Sequence, residues 1–248
     1  MAEAAPLIDL PYLKVDTSHL ITEDDTPLDS PFQERQQAIL TDALYASWKP
    51  GRKFLSLRNV GVFGSIRQPA IVPDVLLTLD VDLLPCEESR AYFVWEYGKP
   101  PDLVIKIVSK EPGGEGTTKL EKYAGIGVPY YVIYNPFGFR GERILKAYQR
   151  QGLGYIDVVN PNYLPELGLG LATWEGTYQG CPGKFLRFVH PDGTLMWTAE
   201  EFAAQSHQRA DDEQRRADEE RQRADEEHRR AERLAKKLQE LGIDLESL

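Results

Sequence analysis

The chain has 248 residues, with 29 Lys and Arg against 39 Asp and Glu, a net charge of −10, and 42 % hydrophobic residues. That length suits one large domain or two small ones. The acidic balance excludes a protein that grips nucleic acid over its whole surface, so such a site must be a local basic patch or rely on metal ions to bridge phosphates.

No apolar run approaches the roughly 18 residues that a membrane helix needs. Met1 to Leu10 carries Glu3 and Asp9 and no basic residue, unlike a secretory signal. Cys86 and Cys181 stand apart with no CxxC spacing, which fits a reducing cytoplasm and argues against a disulfide framework. The charge is unevenly placed. Arg209 to Lys237 holds 10 basic and 10 acidic residues, so 1–208 keeps 19 basic against 26 acidic and a net of −7.

Residues 1–30 are polar with scattered Pro, Thr and Asp, and read as an irregular arm. Ser30-Pro31 has the chemistry of a helix start, an N-cap hydroxyl followed by proline at the first helical position. Ile39, Leu40, Ala43, Leu44 and Trp48 recur at helical spacing, which predicts an amphipathic helix over Gln33 to Trp48. Strands are expected at Lys53 to Val60, Pro73 to Leu79 and Leu103 to Val108. Thr118 to Tyr123 reads as a short helix closed by Gly125 and Gly127. Val128 to Tyr134 is almost uniformly apolar or aromatic, as a strand buried on both faces should be. A hairpin follows over Arg143 to Arg150 and Gly154 to Val158. A helix between two buried strands predicts a βαβ unit within a mixed sheet.

Thr198-Ala-Glu-Glu201 matches a capping box and opens a last helix expected to reach about Leu241, before Gly242. From Arg209 it repeats a seven-residue unit: RADDEQR, RADEERQ, RADEEHR, RAERLAK. Ala210, Ala217, Ala224, Ala231, Leu238 and Leu245 share one heptad position. Glu213, Glu220, Glu227, Leu234 and Leu241 share the other, so only the far end has an apolar seam. Asp212–Arg216, Glu219–Arg223 and Glu226–Arg230 are spaced for i,i+4 pairs, each adding about 0.2–0.5 kcal/mol. A solvated single helix and a coiled coil that pairs the chain into a homodimer stand level on this pattern.

The informative stretch is Ile71 to Pro136. Asp74 opens one apolar strand, Lys106 lies inside the next, and Lys119-Leu-Glu-Lys-Tyr123 precedes Gly127-Val-Pro-Tyr-Tyr-Val-Ile-Tyr-Asn-Pro136. Charged residues within buried strands are costly in a simple core and make sense where phosphoryl chemistry needs them. The four histidines, His19, His190, His207 and His228, have no ligand spacing. Tyr123, Tyr130, Tyr131 and Tyr134 read as core residues before base-stacking ones, and Asp80 and Asp82 as loop acids.

This order resembles the Uma-type restriction endonuclease family of the PD-(D/E)xK superfamily, whose pattern runs P-D, V-I-E-I-V-S, K-x-x-x-Y and G-V-x-Y-Y/W-V-x-D-P. The resemblance covers roughly Asp24 to Val189. It implies an α/β fold with a restriction-endonuclease-like mixed central sheet flanked by helices, here over 31–197, with a long charged helix or coiled coil over 198–248. It also implies a DNA endonuclease that hydrolyses phosphodiester bonds with Mg²⁺, the metal polarising the phosphate and activating water. By match to the pattern, Asp74 is the first metal-binding carboxylate, Ile107 supplies a carbonyl, and Lys119 is the lysine that stabilises developing charge.

Lys106 is the departure, because the pattern places a metal-binding glutamate there. An ammonium cannot act as a hard oxygen donor and repels a cation held by Asp74. Three readings stay open: Lys106 pairs with Asp74 and metal catalysis is lost, leaving a partner- or nucleic-acid-binding protein; Glu96, Asp102 or Glu115 replaces the glutamate; or the lysine is particular to this copy. Asn135, where the pattern has Asp, is a lesser departure at a strand end.

Overall fold

The computed structural model describes residues 30–85, 90–109, 118–139 and 143–240. The N-terminal arm, Cys86, Glu115, Leu241, Gly242 and Leu245 lie outside them. The chain divides into two units, Met1–Met196 and Trp197–Leu248.

The first unit opens with helix α1, Pro31–Ser47. The Ser30 hydroxyl accepts from the Gln33 N–H at 3.3 Å, and Pro31 occupies the first turn, so the helix starts two residues earlier than apolar periodicity alone indicated. Strands β1 (Phe54–Arg58), β3 (Val75–Leu79), β5 (Leu103–Ile107), β6 (Tyr130–Tyr134), β7 (Leu145–Gln151) and β8 (Gly154–Asp157) form a six-stranded sheet in the order β1-β3-β5-β6-β7-β8. Only β5 and β6 run parallel, and helix α3, Thr118–Ile126, joins them; the other pairs are antiparallel. The sheet is therefore mixed, around one βαβ unit. A small parallel pair, β2 (Val62–Phe63) with β4 (Tyr92–Phe93), and the short helix α2 (Val94–Tyr97) were not expected from the sequence. Nor was the long hairpin of β9 (Gly170–Tyr178) and β10 (Cys181–Val189), which packs on α1.

Alternation along the strands fills two cores. On one face Val75, Leu77, Ile105, Ile107 and Val132 meet Ile39, Leu40 and Leu44 of α1 and Phe185 and Phe188 of β10. On the other, Leu76, Val104, Tyr131 and Ile133 meet Tyr123 of α3, Val128 and Tyr92. Each fully buried Leu or Ile contributes about 1.5–3 kcal/mol. Lys106, next to Val104 in the alternation, belongs to the α3 face, as does Asp74, two residues before Leu76.

Close approaches mark the β9–β10 hairpin. A Cβ on Gly176 would lie 2.0 Å from the Trp174 ring, which folds back over that glycine. The buried Arg187 guanidinium lies 4.9 Å from the centre of that ring and donates to the Met196 carbonyl at 2.6 Å.

The second unit is helix α4, Ala199–Glu240, 42 residues and about 63 Å long at 1.5 Å per residue. Its capping box is present: the Thr198 N–H donates to Glu201 Oε2 at 2.8 Å and the Glu201 N–H to Thr198 Oγ1 at 3.3 Å. Asp212 pairs with Arg215 at 2.8 Å instead of the expected Arg216. Positions three and four residues away are both neighbours on a helix surface, so exposed partners exchange at little cost. Among the described residues, no helix is long and apolar enough to cross a membrane.

Candidate active site

The site forms where β3 begins and β5 ends. Antiparallel pairing sets Val75 opposite Ile105, and the Asp74 N–H donates to the Ile105 carbonyl at 3.0 Å. That register carries the Asp74 carboxylate to the Ile107 N–H, which donates to Oδ2 at 2.6 Å. Lys106 Nζ lies 3.0 Å from Oδ1 and 2.9 Å from Oδ2, so one ammonium spans both oxygens. The pair is largely buried, with side-chain exposures of 14 % for Lys106 and 7 % for Asp74.

Burial is the strongest influence on Asp74 and pushes its carboxyl above the ordinary carboxylate range. The Lys106 charge, the Ile107 N–H, the hydrogen bond from Lys106 and the Lys119 charge all oppose that rise without cancelling it. Lys119 stands in the first turn of α3, close enough for its charge to act on Asp74. One turn further along, Tyr123 is fully buried and tilted against Tyr131 at 5.0 Å, and its hydroxyl has no hydrogen-bond partner among the described residues. Burial, then the neighbouring Tyr131 and the Asp74 charge, hold this phenol well above its usual range.

Two residues not singled out from the sequence complete the surroundings. Gln37 Nε2 on α1 lies 3.4 Å from Asp74 Oδ1 and donates to Asn59 Oδ1 at 3.1 Å, while Asn59 Nδ2 donates to Gln37 Oε1 at 2.8 Å. Asn59 adopts φ +51°, a left-handed conformation that asparagine tolerates better than most residues, and its N–H donates to the Asp74 carbonyl at 3.2 Å. A signal for Gln37 existed: it is three residues before Leu40 and seven before Leu44, a polar side chain on the apolar stripe of α1.

Of the acids considered as replacements, Glu115 lies outside the described residues and Asp102 falls elsewhere. Asp102 accepts from the Leu79 N–H at 2.7 Å and pairs with Lys99 at 2.7 Å, at the far end of β3. Five residues of strand separate Leu79 from Asp74, about 16 Å at 3.3 Å each. Glu96 is on α2. Asn135, at the end of β6, serves a turn: its side chain bonds the Phe139 N–H and carbonyl, both at 3.0 Å. Asp80 and Asp82 pair with Arg52 and Lys53. Tyr130, Tyr131 and Tyr134 are buried in the sheet.

Among the described residues, no group of three or more His, Cys, Asp and Glu side chains could hold a metal ion. Mg²⁺ prefers an octahedron of oxygen donors. Here the one carboxylate in place is already neutralised by an ammonium, and the nearest main-chain group aimed at it is an N–H donor. Taken by themselves, the described residues do not fit a resident divalent ion.

A mixed sheet with a βαβ unit, an aspartate at the mouth of one strand and a charged residue within the next defines an α/β protein built around a polar site. The comparison with protein families assigns the class: the Uma2 model, described as "Putative restriction endonuclease", matches residues 22–175, and the chain belongs to that family. No curated protein matches the chain. Among solved structures, one described as a "putative nuclease belonging to DUF820", from Anabaena variabilis ATCC 29413, is similar at 15 % identity. That match covers 57 % of this chain and 76 % of that one, with a TM-score of 0.41.

Proposed function

We propose that this chain is a nucleic-acid-binding member of the restriction-endonuclease-like family whose metal-dependent phosphodiester hydrolysis is strongly impaired. The observation that carries this reading is the Lys106 ammonium set across both oxygens of Asp74. In a metal-dependent site, two carboxylates and a carbonyl would gather positive charge from the ion. Here a fixed cation stands beside the single carboxylate and opposes entry of a second one. Asp74 then orients Lys106, and Lys119 adds a second cation whose charge reaches the same carboxylate. Among the described residues, Lys106 and Lys119 both act on the one carboxylate of Asp74, an arrangement better suited to a phosphodiester than to a free metal.

Family membership favours a second reading, an active DNA endonuclease that uses Mg²⁺. Supercoiled plasmid incubated with Mg²⁺ or Mn²⁺ separates the two. The unaltered chain should give no nicking above buffer, and Lys106→Glu should gain it. Equal cleavage by both, abolished in both by Asp74→Ala, would establish that another group has replaced the glutamate and that the enzyme is active.

The same proposal places the protein in the cytoplasm, on the strength of its isolated cysteines. It assigns self-association to the far end of α4, where the heptad pattern turns apolar.

A further inference from the structure

The two outer strands of the central sheet, β1 and β8, differ at their free edges. At β1 the outward main chain of Ser56 is already engaged. The Ser56 N–H donates to the Tyr45 hydroxyl at 3.0 Å, and that hydroxyl donates back to the Ser56 carbonyl at 3.2 Å. Tyr45 belongs to α1, so the first helix closes that edge. At β8 no further strand follows among the described residues. The Val158 N–H donates to the Ala147 carbonyl at 2.8 Å, which turns the main-chain groups of Val158, and by alternation those of Ile156 and Gly154, toward β7. Tyr155 and Asp157 therefore direct their N–H and C=O groups outward. An open row of this kind is a template for another strand. The side chains along it leave apolar surface in water: Leu153 is 90 % exposed, Ile156 48 % and Val159 98 %. Leu153 and Tyr155 also line a cavity of about 180 Å³ with Leu120 and Ala124 of α3.

We infer that β8 pairs antiparallel with β8 of a second copy of this chain, about a two-fold axis at Ile156. The sequence of the edge is complementary to itself in this register. Tyr155 of each copy meets Asp157 of the other, and these are the residues whose main-chain groups face outward, so they exchange hydrogen bonds. Ile156 meets Ile156 as a non-hydrogen-bonded pair, the closer of the two kinds. Leu153 and Val159 lie three residues to either side of Ile156, so each comes opposite the other, and Val159 of the second copy reaches the mouth of the cavity that Leu153 lines. The neighbouring registers are worse. A centre at Asp157 sets two carboxylates face to face, and a centre at Tyr155 sets Leu153 against Asp157. An interface of this kind uses the same patch on both copies, as two-fold pairing requires. It joins two six-stranded sheets into one and keeps the two Asp74–Lys106 sites on the same face. The contact is small beside the roughly 800 Å² per partner of a standard interface, so by itself it is too weak to hold two copies at micromolar concentration. The inference therefore rests on the self-association assigned to α4: once those leucines join two chains, the β8 edges meet at the far higher effective concentration of a linked pair.

The test is sedimentation equilibrium of the full chain, of its Ile156→Lys and Ile156→Glu variants, and of an equal mixture of the two variants. Ile156 is half exposed, so either substitution leaves the core intact. Alone, each variant sets like charges face to face at the axis and should weaken association by about tenfold. The mixture sets Lys against Glu and should recover the association of the unaltered chain, which a damaged fold could not do. If all four samples associate alike, α4 holds the two copies alone and the β8 pairing is wrong. If both variants weaken association and their mixture does not recover it, Ile156 does not face its own counterpart and the pairing is equally overturned. If the unaltered chain stays monomeric throughout the micromolar range, the β8 pairing and the α4 reading beneath it both fall.

Discussion

Gln37 on α1 and Asn59 beyond β1 exchange two amide hydrogen bonds, at 2.8 and 3.1 Å, and the same Gln37 nitrogen lies 3.4 Å from Asp74 Oδ1. The exchange ties the first helix to the end of the first strand and to the carboxylate of the site. It also fixes Asn59 in its left-handed conformation, where its N–H reaches the Asp74 carbonyl.

Gln37→Leu should therefore destabilise the protein although it places an apolar residue at a buried position. The two amide bonds to Asn59, an exposed residue whose freed amide turns to water, and the contact with buried Asp74 would be lost, at a cost of about 0.5–1.5 kcal/mol. Urea unfolding of the two proteins measures it, and a Leu variant as stable as the unaltered chain would mean that water replaces Gln37 at no cost.

Lys106→Met should make stability more sensitive to pH. Burial raises the folded-state pKa of Asp74, so the folded protein holds its proton to higher pH than the unfolded chain does. Where the folded state binds more protons, stability falls as pH rises from the unfolded value, about 3.9, through the folded one. Lys106 supplies the largest opposing charge, so removing it moves the folded pKa further up and widens that window. The loss relative to the unaltered chain should be small at pH 4 and reach roughly 3 kcal/mol at pH 7, as when one partner of a buried pair is deleted. Equal losses at both pH values would show that Lys106 acts there by packing alone.

Lys106→Glu should convert metal indifference into metal dependence. Two buried carboxylates side by side repel, so this variant should melt early in EDTA and be stabilised by Mn²⁺ or Mg²⁺, by about 1.4 kcal/mol when the ion is at tenfold its Kd. The unaltered chain should melt at the same temperature in either buffer. Thermal unfolding followed by circular dichroism reads both, and a metal-induced shift in the unaltered chain would contradict the ion-pair account.

The far end of α4 should drive weak self-association. Leu234 is half exposed on the isolated helix, and burying such a leucine contributes at most about 1.5–3 kcal/mol. Sedimentation of the full chain beside one ending at Arg233 should give a concentration-dependent species only for the full chain across the micromolar range. Identical behaviour would assign Leu234, Leu238, Leu241 and Leu245 to some other role.

Much of the sheet was legible because its strands are short apolar runs set off by Pro, Gly and Asn. Leu103 to Val108 was expected and Leu103–Ile107 forms; Val128 to Tyr134 was expected and Tyr130–Tyr134 forms. The β9–β10 hairpin was not, since Gly176, Pro182 and Gly183 read as breakers in strands whose pairing is set by packing on α1. At the site, Asp74 and Lys106 stood out as charges in buried strands. Their pairing depends on the register Val75–Ile105, a long-range property that no local pattern encodes. The fixing of Asp74 by the Ile107 N–H and by Gln37 was hidden for the same reason.

The heptads of α4 are nearly interchangeable from Arg209 to Arg229, with Ala, Glu and Arg returning to equivalent places. Two such helices laid side by side would match almost as well after sliding by seven residues, about 10.5 Å, as before it. The repeat therefore carries no ruler of its own. Insertion or deletion of a whole heptad would turn the helix by only about 20° relative to its former phase. Length is the variable this segment can change most freely, and any alignment between two copies has to be fixed by the leucines at its end.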